Sequence, residues 1–491
     1  MVSQFGDYMP SRISKRFEVL SRDQIYRIHL LTLKILEEIG VKVNHEEALR
    51  RLNGLGAEVD YSSMIVKIPE DLLKETLRSL PSRFTYYGRR LSIDVEDGVI
   101  NYLDGGAPLR VMDLNGDIRG LTLRDIEALV RIYDALNSID FIAGPGFPVD
   151  VPASMQLLET YFVKLKNTVK PIAPTSMLSE DDVDNIVKIA SILAGGVDEL
   201  RRKPSVIAWE NPLSPLSHIK NQLHQVLAFA KLGLPILVAS APQSGSTAPI
   251  TLAGFLAQQN AEILSSFVIA YSASEKGKRP PVVYGTAPAI FDQRYGTMVY
   301  SCPEGMLLNV ASIQLARFYG FPTRGTAGTT ESKDVDMQAG FEAGMSLLVT
   351  ALAGCNLIMN AGGGMMGPGV DIVSFEKAII DGEIVSYVDR ILNSIDVNEE
   401  ELAFEAIREV GPEGHYLRSK HTLRNLSKYR QPKIVDRKST SRWLNEKKGL
   451  REKARETALK ILREHQPEPL DKDVEIEIRK IIEEARRKRA K

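Results

Sequence analysis

The chain has 491 residues, a length of about three average domains that one large α/β barrel can also account for. Apolar residues make up 44% and charged residues 25%, which is the composition of a globular protein and excludes disorder as its main state. The 62 Lys and Arg and 63 Asp and Glu give a net charge of −1. Without an excess of basic residues, we do not expect nucleic acid as a partner.

Residues 1–120 predict an N-terminal α+β extension. Ser21 is expected to cap a helix whose apolar residues recur at helical spacing and which closes at Gly40. Strands are expected near 65–68 and 84–87, and the turn at 113–117 predicts a hairpin. The N-terminus lacks the apolar stretch of a signal peptide, and no run of about 18 apolar residues occurs. We therefore expect a cytoplasmic protein without membrane contact.

Residues 121–395 alternate helices with short apolar runs. Uninterrupted apolar runs joined by helices are typical of parallel strands that are covered on both faces. The sequence therefore predicts an α/β protein with a TIM (β/α)8 barrel, ahead of an open doubly wound sheet. Seven strands are evident, at 141–143, 171–173, 206–209, 236–239, 282–284, 322–324 and 357–359. The eighth strand is not evident.

Residues 396–491 predict a C-terminal helical region that packs on the barrel. Its last basic residues, Arg486–Arg489, are interpreted as a solvated helix end that complements the helix dipole. The two cysteines, Cys302 and Cys355, are too few for a disulfide framework or a four-cysteine zinc site, and both are interpreted as structural thiols.

Functional residues of a barrel gather in the loops that follow the strands. Those loops, including 174–176 after the second evident strand, contain almost no histidine or cysteine and only scattered carboxylates, so no metal is expected. Ser244 and Ser246 lie in a loop that lacks the nucleophile-elbow pattern.

Two loop motifs allow more than one interpretation. The segment 362–367 satisfies G-x-G-x-x-G, but it comes late in the chain and is followed by Pro368. Either it is a plain turn or its small residues let a flat group approach the barrel mouth. His415 and Tyr416 lie in a glycine-flanked loop, where a histidine is either a structural hydrogen-bond partner or a catalytic group.

Several segments, matched in order along nearly the whole chain, carry a family resemblance. They are 104–108, 212–215, 245–254, 314–320, 331–334, 411–417 and 421–424. With these motifs the chain resembles the trimethylamine methyltransferase (MttB) superfamily, including its non-pyrrolysine, glycine betaine methyltransferase branch. The resemblance implies a TIM barrel that moves a methyl group from a methylated amine to cob(I)alamin held by a separate corrinoid protein. It places the chain in methanogenesis or one-carbon metabolism, with no permanently bound cofactor, and we expect a homo-oligomer.

That chemistry accounts for the histidine-poor loops, because reduced cobalt is itself the nucleophile and the enzyme mainly positions the reactants. Aromatic faces suit a cationic donor better than several carboxylates do, since the nitrogen loses its charge as the methyl group leaves. The expected catalytic residues are Glu331 and His415. The expected substrate-binding residues are Trp209, Glu210, Tyr284, Phe291, Asp292, Arg294, Tyr295, Arg324 and Tyr416. A corrinoid-facing loop is expected at Gly362, Gly363, Gly364, Met365 and Met366.

One departure from the family pattern bears on the substrate. Trimethylamine-specific members carry pyrrolysine in the stretch aligned near Thr329–Asp336, where this chain has only standard residues. The resemblance therefore implies a quaternary amine, which can also carry a carboxylate bound by Arg324 or Arg294. Two alternatives stay open: corrinoid-linked demethylation of a methylated thiol or methoxy compound, and a non-catalytic barrel that binds the corrinoid protein.

Overall fold

The computed structural model describes residues 16–174 and 177–490, in which short strands alternate with helices. The strands are β1 Val41–Val43, β2 Glu58–Asp60, β3 Ile65–Lys67, β4 Phe84–Tyr87, β5 Ser92–Val95, β6 Asn101–Tyr102, β7 Arg110–Met112, β8 Ile118–Gly120, β9 Ala208–Glu210, β10 Ser217–His218, β11 Ile236–Ser240, β12 Gln243–Ser244, β13 Val282–Thr286, β14 Ala289–Asp292, β15 Thr297–Val299, β16 Thr323–Thr326, β17 Leu357–Met359, β18 Met365–Met366 and β19 Ile372–Ser374. The helices are α1 Arg22–Lys34, α2 Glu46–Gly54, α3 Glu70–Ser79, α4 Leu123–Ala135, α5 Gln156–Asn167, α6 Glu180–Ala194, α7 Val197–Arg202, α8 Lys220–Leu232, α9 Leu252–Ala273, α10 Pro303–Phe318, α11 Met337–Ala353, α12 Phe375–Leu392, α13 Glu399–Leu402, α14 Phe404–Val410, α15 Lys420–Asn425, α16 Thr440–Glu446, α17 Leu450–Glu464 and α18 Lys472–Arg489.

A barrel of parallel strands forms the centre of the chain. Six strands make one sheet, in the order β6, β17, β16, β13, β11 and β9. Isolated parallel bridges from Leu103 to Phe141 and from Ile142 to Ile172 add two further segments, so the described residues supply eight barrel positions. The predicted (β/α)8 architecture is therefore present.

The strand that the sequence did not reveal is β6, which precedes the seven evident strands. It pairs in parallel with β17 and lies inside the region predicted as an extension. This strand was missed because Asn101 interrupts the apolar run that is typical of a barrel strand. The Asn101 side chain faces neighbouring backbone and donates to the carbonyls of Asp94 and Asn356. The barrel thus begins at Asn101, not near residue 121.

The strand interiors are buried on both faces, as parallel barrel strands require. Along β11 and β13 every residue is buried. Leu237 and Val283 join the cluster inside the barrel, whereas Val238 and Tyr284 join the larger cluster between the strands and the surrounding helices. Neighbouring residues of one strand therefore serve opposite sides of the barrel wall.

The hairpin of β4 and β5 closes the amino end of the barrel. Tyr86 packs in the cluster inside the barrel, and its hydroxyl donates to the carbonyl of Ile172 at 2.7 Å. The predicted helix after Ser21 begins with a capping box, and the predicted hairpin is formed by β7 and β8. The extension thus supplies a stopper for the barrel as well as its first strand.

The C-terminal helices α17 and α18 run along the outside of the barrel. Arg486, Lys488 and Arg489 form ion pairs with acidic residues of α5 and α6, so this helix end is anchored to the barrel and differs from the solvated end that was expected. Over the part of the chain that the structure describes, no helix combines the length and the apolar character needed to cross a membrane.

Candidate active site

The carboxyl ends of the barrel strands surround a cavity of about 270 Å³. Every one of the eight barrel positions contributes a residue at or just after its carboxyl end, which is where TIM barrels place their active sites. The lining residues are Gly106, Ala107, Ala143, Phe147, Pro174, Trp209, Asn211, Ala241, Ala287, Tyr300, Arg324, Thr326, Met359, Asn360, Gly369 and Val370.

A larger cleft of about 900 Å³ lies at the other end of the molecule, between the β4–β5 hairpin and the segment that precedes α18. Its arginines are already engaged: Arg89 donates to the carbonyls of Glu468 and Pro469, and Arg90 forms an ion pair with Glu468. These contacts fasten the C-terminal region to the hairpin. Position and chemistry therefore favour the smaller cavity as the site.

Arg324 supplies the charge of the cavity. Among the described lining residues it is the only charged side chain. One guanidinium nitrogen donates to the carbonyl of Thr286 at 2.7 Å and to the hydroxyl of Thr326 at 2.8 Å, while the buried Nε has no partner. Burial lowers the pKa of Arg324 to about 10, so the side chain stays protonated at neutral pH.

Aromatic side chains form the apolar part of the wall. The guanidinium carbon of Arg324 lies 5.6 Å from the centroid of the Trp209 ring. The backbone of Trp209 is fixed by Gln225, whose side chain bonds both its N–H and its carbonyl. Phe147 and Tyr300 complete the aromatic surface. A positive group of a ligand could thus face aromatic rings here instead of carboxylates.

Glu331 lies behind Tyr300, one layer away from the cavity. One carboxylate oxygen accepts from the N–H of Tyr300 at 2.8 Å and from the N–H of Ser301 at 3.1 Å. The other oxygen is buried and has no partner in the structure. Burial raises the pKa of Glu331 to about 7, which makes its charge sensitive to pH in the neutral range.

Asp104 fixes the rim beside β6. One oxygen accepts from the N–H groups of Ala143 and Gly144, and burial raises the pKa of Asp104 to about 6. Lys164 donates to the carbonyls of Ala143 and Ala173, and burial lowers its pKa to about 8. The two side chains tie together the carboxyl ends of three adjacent barrel segments.

Two residues expected in the site point away from it. Tyr284 packs on the helix side of β13, where its hydroxyl donates to Asn260 at 2.9 Å. Glu210 is next to Trp209 on β9 but faces outwards, with an oxygen 2.8 Å from Nδ1 of His218. The other His218 nitrogen lies 2.8 Å from the Ser265 hydroxyl. This arrangement resembles a hydrolase triad, yet all three side chains are fully buried, so no substrate reaches them.

Four further expected residues lie on the hairpin of β14 and β15. Asp292 and Arg294 form an ion pair with each other, and the Arg294 side chain is 79% exposed. Tyr295 is also exposed, while Phe291 is half-buried. They project above the barrel strands on a surface hairpin and do not line the cavity.

The glycine-rich segment lies in the interior. Met365 and Met366 are fully buried in β18, and Gly363 accepts a hydrogen bond from the Tyr133 hydroxyl at 2.9 Å. At Gly364, with φ +71, an added Cβ would lie 2.3 Å from the carbonyl oxygen of Ser374. Close backbone packing explains these glycines, and the segment from Gly362 to Met366 presents no surface to a corrin ring in this structure.

His415 and Tyr416 are exposed residues of a C-terminal segment, and neither lines the cavity. The expected loop residues Thr175 and Ser176 lie outside the described residues. Of the eleven side chains expected to act in catalysis or substrate binding, the structure brings Trp209 and Arg324 to the cavity and places Glu331 one layer behind its wall.

The sequence profile described as "Trimethylamine methyltransferase (MTTB)" matches residues 4–490. The chain belongs to the trimethylamine methyltransferase family. It is 33% identical to the glycine betaine methyltransferase of Desulfitobacterium hafniense strain Y51, over 95% of this chain and 97% of that protein. It is 31% identical to the trimethylamine methyltransferase MttB of D. hafniense strain DSM 10664 / DCB-2, over 94% and 93% of the two chains.

A solved structure supports the fold of this family member. The monomethylamine methyltransferase of Methanosarcina barkeri matches 92% of this chain and 89% of its own length, with a TM-score of 0.52 and 13% identity. That likeness bears on the fold alone and confirms the predicted class. The named relatives make the chain an enzyme of the methyltransferase type, as the resemblance implied.

Several cavity residues of this methyltransferase were missing from the expected site. Asn211 and Asn360 directly follow barrel strands, and Gly106 and Ala107 belong to a motif that already carried the resemblance. Their position in the sequence was therefore a usable signal. Tyr300 gave no such signal, because it reaches the cavity only after the β14–β15 hairpin has turned back.

Proposed function

We propose that this chain moves a methyl group from a carboxylated quaternary ammonium compound, of the glycine betaine class, to a corrinoid cobalt that a partner protein supplies. The observation that carries the proposal is Arg324, a buried cation at the wall of the cavity. No carboxylate among the described residues forms an ion pair with it.

A buried guanidinium without an acidic partner is unfavourable unless another anion completes it. In this cavity the missing anion would come from the substrate. A carboxylate can accept two parallel N–H bonds from one guanidinium, which fixes its orientation as well as its position. The hydrogen bonds from Arg324 to Thr286 and Thr326 hold the side chain ready for that contact.

The ammonium end of such a substrate has a suitable neighbour. In a betaine the carboxylate and the quaternary nitrogen are separated by a single carbon. The 5.6 Å between the Arg324 guanidinium and the Trp209 ring allows both groups to be held at once. Because the lining has no carboxylate in the described residues, the pocket does not favour the cation over the transition state, in which the nitrogen loses its charge.

The mouth of the cavity fits a broad, flat group. Small residues occupy the rim at several of the strand ends, namely Gly106, Ala107, Ala143, Ala241 and Ala287. These residues would lie against a corrin ring, which is too large for the 270 Å³ cavity and would cover it from above. When bound, the reduced cobalt supplies the nucleophile that takes the methyl group.

The residues of this chain then orient the donor and exclude water. Arg324 and Trp209 fix the two ends of the donor, so that one N-methyl group faces the mouth. Glu331 acts as a positioning residue, because it holds the backbone of Tyr300 and Ser301 without lining the cavity. No catalytic proton transfer is needed, since a quaternary amine leaves as a neutral tertiary amine.

A methyl-transfer assay with reduced cobalamin or the cognate corrinoid protein tests the proposal. The donors are glycine betaine, choline, which lacks the carboxylate, and trimethylamine, which lacks both the carboxylate and the fourth carbon. We expect the absorption spectrum to show formation of methylcobalamin with glycine betaine, and far slower formation with the other two donors. Transfer from trimethylamine but from no quaternary amine would refute the proposal.

A binding measurement separates recognition from turnover. Glycine betaine should raise the melting temperature of the protein, and the stabilisation should grow with the logarithm of its concentration above Kd; choline and acetate at equal concentration should not stabilise the protein. A methylated thiol or methoxy compound that stabilises the protein where glycine betaine does not would favour the alternative donors.

A further inference from the structure

A segment between α12 and α16, residues 395–433, projects from the barrel and is called the arm below. It begins just after Leu392, the last buried residue of α12, and ends where Ile434 is buried again. It contains the helices α13, α14 and α15 and two short 3-10 turns, and none of these elements buries a residue. The chain therefore builds helices here without giving them a core.

The arm exposes an unusual number of large apolar side chains. Each of the following is more than half exposed: Ile395, Val397, Leu402, Phe404, Ile407, Leu417, Leu423 and Tyr429. Single exposed apolar residues are common, but so many within one segment indicate a surface that another molecule covers.

Charge is sorted along the arm. The first half, residues 399–413, has six acidic residues and one basic residue; the acidic ones are Glu399, Glu400, Glu401, Glu405, Glu409 and Glu413. The second half, residues 415–430, has five basic residues and no acidic residue; the basic ones are Arg418, Lys420, Arg424, Lys428 and Arg430. Among the described residues, the halves are joined within the chain by the ion pair of Lys428 with Glu401.

The remaining charges of the arm have few partners inside the molecule. Arg430 pairs with Glu383 on α12, and Arg408 pairs with its neighbour Glu405. Arg418, Lys420 and Arg424 form no ion pair with a described residue. The charges of one arm are therefore complementary to those of a second, identical arm that runs in the opposite direction.

We infer that the arm pairs with the arm of a second copy of this chain across a two-fold axis. Two-fold pairing brings the same patch of both subunits together in opposite directions, so the acidic half of each copy meets the basic half of the other. The exposed apolar residues then form the centre of the interface. A partner with a face of one charge sign would meet like charge on one half of the arm.

The pairing leaves the active site free. Helix α12 begins near the mouth, where Lys377 donates to the carbonyl of Gly328 beyond β16. It ends near the amino end, where Val388 and Leu392 share a buried cluster with Ile100, the residue that precedes β6. The arm thus leaves the barrel at the end opposite the mouth, and both cavities of the dimer stay open to a corrinoid protein.

Charge-reversal variants of the full-length chain, measured by light scattering after gel filtration, test this inference. One arm variant reverses three charges of the basic half, with Arg418→Glu, Lys420→Glu and Arg424→Glu. The other arm variant reverses three charges of the acidic half, with Glu405→Lys, Glu409→Lys and Glu413→Lys. The wild type should be dimeric at micromolar concentration, and each variant alone should associate about a hundredfold more weakly because like charges then face each other. A mixture of the two variants should recover the dimer.

A matched control reverses three exposed charges elsewhere, with Lys460→Glu, Arg463→Glu and Arg487→Glu on α17 and α18. This variant should dimerise as the wild type does. A monomeric wild type, a dimer that neither arm variant weakens, or a mixture that stays monomeric would each overturn the inference. Binding of the wild-type arm to the corrinoid protein in place of a second copy would overturn it as well.

Hydrogen exchange of the unmodified protein provides a test that does not depend on variants. The amides of residues 395–433 should become more protected as the protein concentration is raised, with the barrel amides unchanged. Protection of the arm that is independent of concentration would contradict the pairing.

Discussion

The barrel mouth and the arm differ in the kind of group that lacks a partner. The mouth buries polar groups without partners, such as Nε of Arg324 and the side-chain oxygen of Asn360. The arm exposes large apolar side chains, such as Phe404 and Leu417. Buried polar groups are normally paired and large apolar patches are normally covered. Each region therefore indicates a missing partner: a small charged molecule at the mouth and a folded surface at the arm.

Removing the charge of Arg324 is the most direct test of whether the mouth binds a small charged molecule. Arg324→Gln should lower kcat/KM for glycine betaine about a hundredfold to a thousandfold, because truncating one partner of a buried charge pair costs about 2–5 kcal/mol. The control is Arg294→Gln on the exposed hairpin, which should change kcat/KM less than about twofold, as surface substitutions do. Equal losses of kcat/KM in both variants would show that Arg324 does not bind the substrate carboxylate.

Two glycines compare the packed interior with the open surface. Gly364→Ala should destabilise the protein by about 3 kcal/mol or prevent folding, because the new Cβ would clash with the Ser374 carbonyl and φ is +71. Gly340→Ala, on the exposed side of α11 with no atom within 4 Å, should stabilise it by about 0.5–1 kcal/mol. Urea unfolding of both variants measures the difference. A tolerated Gly364→Ala would show that the glycine-rich segment is not tightly packed.

The pH dependence of stability tests the burial of Glu331. Its pKa is raised to about 7, so the folded protein binds a proton that the unfolded chain releases near its ordinary pKa. That stability is fully present below the ordinary carboxyl pKa and is lost as pH rises through about 7. From pH 5 to 8 the wild type should lose about 2–3 kcal/mol relative to Glu331→Gln. A constant difference between the two proteins would mean that Glu331 is solvated.

The smallest effect is expected from residues of the arm. His415→Ala and Tyr416→Phe should change kcat of methyl transfer less than about twofold, because both side chains are exposed and outside the cavity. A large loss in kcat with the dimer intact would show that the arm takes part in catalysis, which would contradict the contrast between the arm and the mouth.

Much of the fold could be read from the sequence because parallel barrel strands are continuous apolar runs. The exception was β6, where Asn101 satisfies backbone groups in a two-residue strand and breaks the apolar signal. The side of the strand on which a residue lies was harder to predict. Trp209 and Glu210 are adjacent and equally plausible as ligands, yet strand alternation sends one into the cavity and the other into the helix layer.

The candidate site could be predicted only in part for the same reason. Arg324 and Trp209 belong to barrel strands, whose carboxyl ends converge by the rule of the fold. Tyr295 and His415 had suitable chemistry, but they lie on a hairpin and on the arm, and their distance from the mouth depends on contacts that no local pattern encodes.

Because Tyr86 fills the barrel at its amino end, the described residues leave the cavity one opening, at the carboxyl end of the strands. Under the proposed function, donor, demethylated product and corrinoid protein all have to use it. The donor must therefore enter the cavity before the corrinoid protein covers the opening. The demethylated amine can leave only after that protein has dissociated. Initial-rate kinetics should show a compulsory order, with the donor first on and its product last off.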